Sequence, residues 1–209
     1  MGGLSVLNRL LSTTRQVFAP FFARQFAFYF MGQVASLFCL TEQDFQRLNA
    51  DPVAFDFSQP GLEGEAFNQT QEGLRFVLAK GRDTETTALI EQIFNPWSSV
   101  GEEIDYENID WDQANDNFSL DAQPIYYNPS ETVDAIATFL ATITDESFRQ
   151  AFNPEELNRA EVYPSGVWNR KTGLNQGFNE QTLVEDLHLL RSFFTRIQQQ
   201  GNYCVCFVG

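Results

Sequence analysis

Residues 128–168 read NPSETVDAIATFLATITDESFRQAFNPEELNRAEVYPSGVW, and three helix starts are written into them. Asn128, Thr144 and Asn153 occupy cap positions, Pro129 and Pro154 take the first helical place after two of them, and Glu131 and Glu156 stand three residues beyond those caps. Behind the caps, Val133, Ile136, Leu140 and Ile143 recur at helical spacing, followed by shorter apolar faces at Phe148, Ala151 and Phe152 and at Leu157 and Ala160. The run closes on a Tyr163-Pro164 turn and Trp168. Start signals this regular specify a folded scaffold and say nothing of an activity.

Working outward, the C-terminal side carries Leu183, Leu187, Leu190, Phe194 and Ile197 on a long helix over about 180–199, which Gly201 terminates. Residues 203–208 then form a nearly continuous apolar strand, the pattern of an interior position in a sheet. On the N-terminal side, residues 33–40 read as a second buried strand, with Thr41 capping a helix that carries Phe45 and Leu48 and stops at Asp51-Pro52. Helical spacing of Ala66, Phe67, Thr70, Leu74, Val77 and Leu78 predicts a helix over 63–80, weakened by Gly73 and ended by Gly81, and a short helix follows over 84–94. The two apolar strands are expected to be neighbours, with helices on both faces. That is an α/β fold in the mixed α+β sense, a single mixed sheet with helices on its faces.

The 209 residues suffice for one substantial core, and 21 phenylalanines make that core aromatic. The net charge of −15 is unevenly placed, because no acid precedes Glu42 while Arg9, Arg15 and Arg24 lie in the first thirty residues. Residues 31–209 therefore carry −18, which repels phosphate backbones and argues against nucleic-acid binding. A basic protein is the partner such a surface favours.

Three cysteines, Cys39, Cys204 and Cys206, are too few for a disulfide framework and fit a reducing cytoplasm. Cys204 and Cys206 alternate with Val205 and Phe207, as small apolar groups on one strand face do, and no histidine cluster accompanies them, so no metal is assigned. Gly61-Leu-Glu-Gly64 and Gly173-Leu-Asn-Gln-Gly177 lack the lysine and the strand-to-helix context of a phosphate loop, so no cofactor is assigned either.

Two segments stand apart. Residues 1–30 contain Leu4, Leu7, Leu11 and a Phe-rich run broken by Arg15, Pro20 and Arg24, too interrupted for a spanning helix or a secretory signal. An amphipathic surface anchor, an organelle presequence, an added helix, or an upstream extension of a chain that starts at Met31 remain as readings, and a membrane surface enters only through this segment. Residues 102–121 hold eight acids, no base, and Tyr106, Trp111 and Phe118; their spacing does not match a calcium loop. They read as a solvated insertion, with an acidic-aromatic docking surface as the functional alternative.

Taken in order, Met31-Gly32, Leu40-Thr41, Asp51-Pro52, Leu74-Arg-Phe-Val-Leu78 near Gly81, Tyr127-Asn-Pro-Ser-Glu-Thr-Val133, Phe152-Asn-Pro154, Tyr163-Pro164 with Trp168, and a long helix before an apolar strand resemble the YfbM-like family of small bacterial proteins of uncharacterised function. The resemblance covers residues 31–209, leaves 1–30 as an N-terminal extension, and implies one compact domain with a mixed sheet and flanking helices. It carries over no catalytic residue.

The functional expectation is a cytoplasmic, acidic protein-interaction domain of uncertain, mainly non-enzymatic character, comparable in size and acidity with immunity proteins that neutralise basic toxins. Its candidate binding surface is Glu161, Tyr163, Trp168, Tyr106 and Trp111. The first alternative is a hydrolase using carboxylates and aromatics near Tyr163 and Trp168, where Glu155, Glu156 and Glu161 cluster in sequence. The second is a membrane-surface protein anchored by residues 1–30. Tyr163-Pro164 and Trp168 also suit a turn and a cover for the core. No catalytic residue is assigned: the single histidine, His188, borders the apolar face of the last helix, where packing or capping is the ordinary role. The sequence does not indicate an oligomeric state.

Overall fold

The computed structural model describes residues 33–101, 124–170 and 178–209. Readings made on residues 1–30, on Tyr106, Trp111 and the rest of 102–121, and on the glycine pair at 173–177 lie outside the described residues.

Among the described residues five strands form one sheet: β1 (Val34–Leu40), β2 (Gly64–Asn68), β3 (Ser98–Val100), β4 (Ile125–Asn128) and β5 (Tyr203–Val208), in the order β2-β1-β5-β4-β3. Every neighbouring pair is antiparallel, so the expected mixed α+β fold is present with a purely antiparallel sheet. The expected neighbours, β1 and β5, are paired from Ala35↔Val208 to Leu40↔Tyr203, and β5 lies at the centre.

Seven helices are present among the described residues: α1 (Glu42–Ala50), α2 (Gln71–Ala79), α3 (Thr84–Gln92), α4 (Ser130–Thr142), α5 (Asp145–Ala151), α6 (Pro154–Arg159) and α7 (Glu180–Gln200). Side-chain caps start most of them. Thr41 Oγ1 accepts from Asp44 N, Asp83 from Thr86 N, Asn153 Oδ1 from Glu155 N and Glu156 N, and Asn179 Oδ1 from Gln181 N and Thr182 N. Thr144 and Ser147 exchange the two bonds of a capping box. Gly201 ends α7 at φ +66, a backbone state that favours glycine. Among the described residues no helix is long and apolar enough to cross a membrane.

Strand alternation sends Ala35, Leu37, Cys39, Cys204 and Cys206 to one face, under the buried stripes of α2, α4 and α7, with Phe67, Phe148, Phe193 and Phe194 filling that layer. Leu40 and Val205 join the other face, where α1 supplies Leu48 and Phe45 and the following loop supplies Phe55, Phe57 and Leu62. Phe45 stacks on Tyr203 with centroids 4.1 Å apart, and Phe57 meets Phe38 and Phe207 at 5.3 and 4.9 Å. Aromatic rings thus line the smaller of the two clusters as well as the larger.

Three local readings are corrected. Residues 63–80 are not one helix, because Gly64–Asn68 pairs with β1 and α2 begins only at Gln71. Gln69, at φ +62, breaks the path between them, and a Cβ at Gly64 would lie 2.9 Å from Leu37 O, a strand approach that glycine permits. Asn128 is not the cap of α4: it is a buried residue of β4 whose Nδ2 donates to Gln92 O at 2.7 Å, the last carbonyl of α3. Pro129 holds the cap position of α4 without a side-chain bond. β3 and β4 themselves, three and four residues long, carry too few residues for a period to register.

One carboxylate is held back from ionising. Asp186 on α7 lies beside Thr70, and burial raises its carboxyl above the ordinary range. As pH climbs past about 4, the unfolded-state carboxyl ionises first, so the group destabilises the native state from there upward and is neutral in effect where both states are protonated. Asp186→Asn is therefore expected to raise the thermal midpoint at pH 7 and to leave it unchanged below about pH 3. Equal effects at the two pH values in matched melts would show that the side chain ionises as readily folded as unfolded.

Candidate functional site

A hollow of about 800 Å³ opens where three segments meet: the end of β1 with α1, the 59–63 turn, and the turn between α7 and β5. The third is far from the other two in sequence, and the sheet brings it to them because β5 returns alongside β1. Cys39 lies in its floor and Glu42, Asp44, Glu63 and Arg47 are among its walls.

Asp44 accepts from Thr41 Oγ1 at 2.7 Å and forms an ion pair with Arg47. The Thr41 hydroxyl first, and Arg47 after it, hold its carboxyl below the usual range. Glu42 accepts from Tyr203 OH at 2.7 Å, a bond that pushes the phenol up. Glu63 pairs with Arg196 at 2.7 Å. Arg47 also reaches Gln59 Oε1 at 3.1 Å and lies over the Phe55 ring. Of the three wall carboxylates Asp44 and Glu63 are thus each paired with an arginine, while Glu42 is held by a phenol and leaves negative charge for a cationic group. Burial raises the Cys39 thiol, with an opposing donation from Asn202 Nδ2 at 3.1 Å, so the floor is a neutral thiol instead of a ready nucleophile.

A smaller hollow, about 310 Å³, lies between Glu72, Arg75, Lys80, Glu91 and Val162. Its charges are matched: Arg75 bridges Glu72 and Glu91, and Lys80 pairs with Glu156.

The residues singled out from sequence fall in different settings. Trp168 is 3% exposed and cannot be part of a surface: its Nε1 donates to Val162 O at 2.9 Å, Asn158 clamps its backbone N–H and carbonyl, and its ring lies against Gly73. Tyr163 is half-buried, its hydroxyl accepting from Gln33 N at 3.3 Å just ahead of β1. Glu161 is exposed at φ +53. His188 Nε2 lies 2.7 Å from Asp145 Oδ2, and its partner among the described residues is that carboxylate, not a hydroxyl or a thiol. All three cysteines are free and buried. Among the described residues no cluster of His, Cys, Asp and Glu is arranged to hold a metal ion. No local sequence pattern marks the groove, whose lining comes from segments that the fold brings together.

A family model described as a domain of unknown function, DUF1877, matches residues 31–207. The crystal structure of YfbM from Escherichia coli, a protein of unknown function, is similar to this chain with a TM-score of 0.56 and 14% sequence identity, over 84% of this chain and 99% of that one. No curated protein matches the chain.

Proposed function

The chain belongs to the DUF1877 family, and from that starting point we propose that it is an interaction domain whose acidic surface engages a basic protein. One observation carries the reading. The described residues hold nine Lys and Arg against twenty Asp and Glu, and seven of the nine cations are already ion-paired to carboxylates of the same chain. The surplus negative charge therefore faces outward with little basic surface to answer it, which steers cationic partners and repels polyanions. The groove beside α1 supplies a place where a lysine or arginine of the partner meets Glu42, Asp44 and Glu63 together. Neutralisation of a basic toxin by an immunity-like protein is one form such recognition takes, by analogy of size and acidity. The hydrolase reading around Tyr163 loses its aromatic platform to the burial of Trp168.

The test is capture by the full chain from its source cells at low and high salt, repeated with Glu42→Gln, Asp44→Asn and Glu63→Gln combined. A basic partner is expected at low salt, released at high salt, and bound about tenfold more weakly by the combined variant. Retention that is indifferent to salt and to the variant, or recovery of acidic partners alone, would count against the reading.

A further inference from the structure

The β1–β5 ladder keeps one register from Ala35↔Val208 to Leu40↔Tyr203. At its end Val34 N donates to Gly209 O at 2.7 Å and Gly209 N to Val34 O at 3.1 Å, so those two residues exchange both bonds. Alternation then makes Ser36–Phe207, Phe38–Val205 and Leu40–Tyr203 hydrogen-bonded pairs, and leaves Ala35–Val208, Leu37–Cys206 and Cys39–Cys204 as non-hydrogen-bonded ones. The opposite edge of β1 agrees: Gln69 N donates to Gln33 O and Cys39 N to Glu63 O, so the odd residues turn their backbone polar groups toward β2. Residues of a non-hydrogen-bonded pair have Cα atoms about 4.5 Å apart, within the roughly 4.4–6.8 Å that a disulfide spans. Both thiols lie in the helix-covered core, hence on the same sheet face. Cys206 is opposite Leu37, so it is only a diagonal neighbour of Cys39, at about 7–8 Å, and its thiol donates to Phe94 O at 3.1 Å.

We propose that Cys39 and Cys204 are a redox pair, which hydrogen peroxide joins into a disulfide across the β1–β5 ladder. Access sets the order of events. Cys39 is 7% exposed and borders the groove, whereas Cys204 is wholly buried, so oxidation begins at Cys39. The Cys39 sulfur attacks the peroxide O–O bond and gives up two electrons; it becomes a sulfenic acid, and the displaced hydroxide leaves as water with the thiol proton. The Cys204 sulfur then attacks the Cys39 sulfur and displaces its hydroxyl, which departs as a second water with the Cys204 proton. Two thiols and one peroxide give one disulfide and two waters. Donation from Asn202 Nδ2 to Cys39 Sγ favours the thiolate that starts the sequence, while burial opposes it, so the oxidation is slow beside that of an exposed thiol. The cross-link fastens the central strand to its neighbour and draws the Cys39 sulfur away from Asn202 in the groove floor.

The experiment treats the full chain with hydrogen peroxide, removes the excess, unfolds it in denaturant containing an alkylating reagent, and maps the peptides by mass spectrometry. Expected is a species lacking two hydrogens in which Cys39 is joined to the C-terminal peptide, with fragmentation placing the bond at Cys204 and Cys206 alkylated. The oxidised protein should melt about 5–10 °C higher than the reduced one. Cys206→Ala should keep the link, and Cys204→Ala should lose it and leave Cys39 as a sulfenic acid that a dimedone probe traps. Three alkylated thiols in the treated wild type, or a bond located at Cys206, would overturn the proposal. Because fragmentation of the wild type distinguishes Cys204 from Cys206, the result stands even if a variant fails to fold.

Discussion

Gly73→Ala is expected to destabilise the domain by about 3 kcal/mol or more, although helix propensity alone would favour alanine by about 1 kcal/mol at a helical glycine. A Cβ at position 73 would lie 2.2 Å from Trp168 Cη2, 2.7 Å from Cζ2 and 2.9 Å from Cζ3. These are three atoms of one rigid ring, so no side-chain torsion relieves all three, and the ring itself is held. Its Nε1 is bonded to Val162 O, Asn158 bonds the backbone on both sides, and Phe178 meets it edge-on at 5.7 Å. Overpacking against a fixed neighbour costs about 1–3 kcal/mol or more, here with the helix or the 158–168 turn forced to move. Trp168→Ala should cost about 3–5 kcal/mol through the cavity it leaves. The decisive measurement is the double variant: Gly73→Ala with Trp168→Phe should recover part of the loss in urea midpoint, giving a coupling that additive sites do not show. A Gly73→Ala single variant as stable as the wild type would mean that the indole does not cover this helix.

The same contact shows what sequence can and cannot disclose. Gly73 reads from sequence as a weakening of a helix, and Trp168 reads first as a cover for the core and second as a binding residue; the pairing that explains both joins residues far apart in the chain. Local signals were legible because local physics makes them. Thr41, Thr144 and Asn153 cap what they appear to cap, Leu183 to Ile197 form a buried stripe on α7, and the apolar runs at 33–40 and 203–208 are adjacent interior strands. β2, β3 and β4 were hidden for opposite reasons: β2 borrows a helix-like spacing across Gln69, whereas β3 and β4 are too short to show any spacing. Asn128 was misread because an asparagine before proline suits an N-cap, yet burial turns its amide to the carbonyl end of α3 instead. The groove and the Cys39–Cys204 juxtaposition exist only once strand register is known, since both depend on β5 lying antiparallel to β1.

That strand is where the largest loss is expected. Removing residues 203–209 should leave a chain without cooperative unfolding or near-ultraviolet circular dichroism. Among the described residues β5 is the one strand that pairs with both the β2–β1 ribbon on one side and the β4–β3 ribbon on the other, and isolated two-stranded ribbons are marginal in water. The cut also removes Cys204 and Cys206 from the helix-covered layer and Val205 from the aromatic one, all at most 5% exposed, so both cores lose their centre at once. Burial of such side chains contributes about 1.5–3 kcal/mol each for the larger ones, and the ladder bonds to β1 and β4 go with them, against a total stability of about 5–15 kcal/mol for a typical domain. A shorter cut separates this from mere end effects. Removing only Val208 and Gly209 deletes the Val34–Gly209 bond pair and a side chain already 43% exposed, and should cost about 1–3 kcal/mol while keeping a single cooperative transition. If the longer truncation still unfolded cooperatively, the two ribbons would have to be held by the helices alone, and the central place of β5 would be a matter of geometry with little energy behind it.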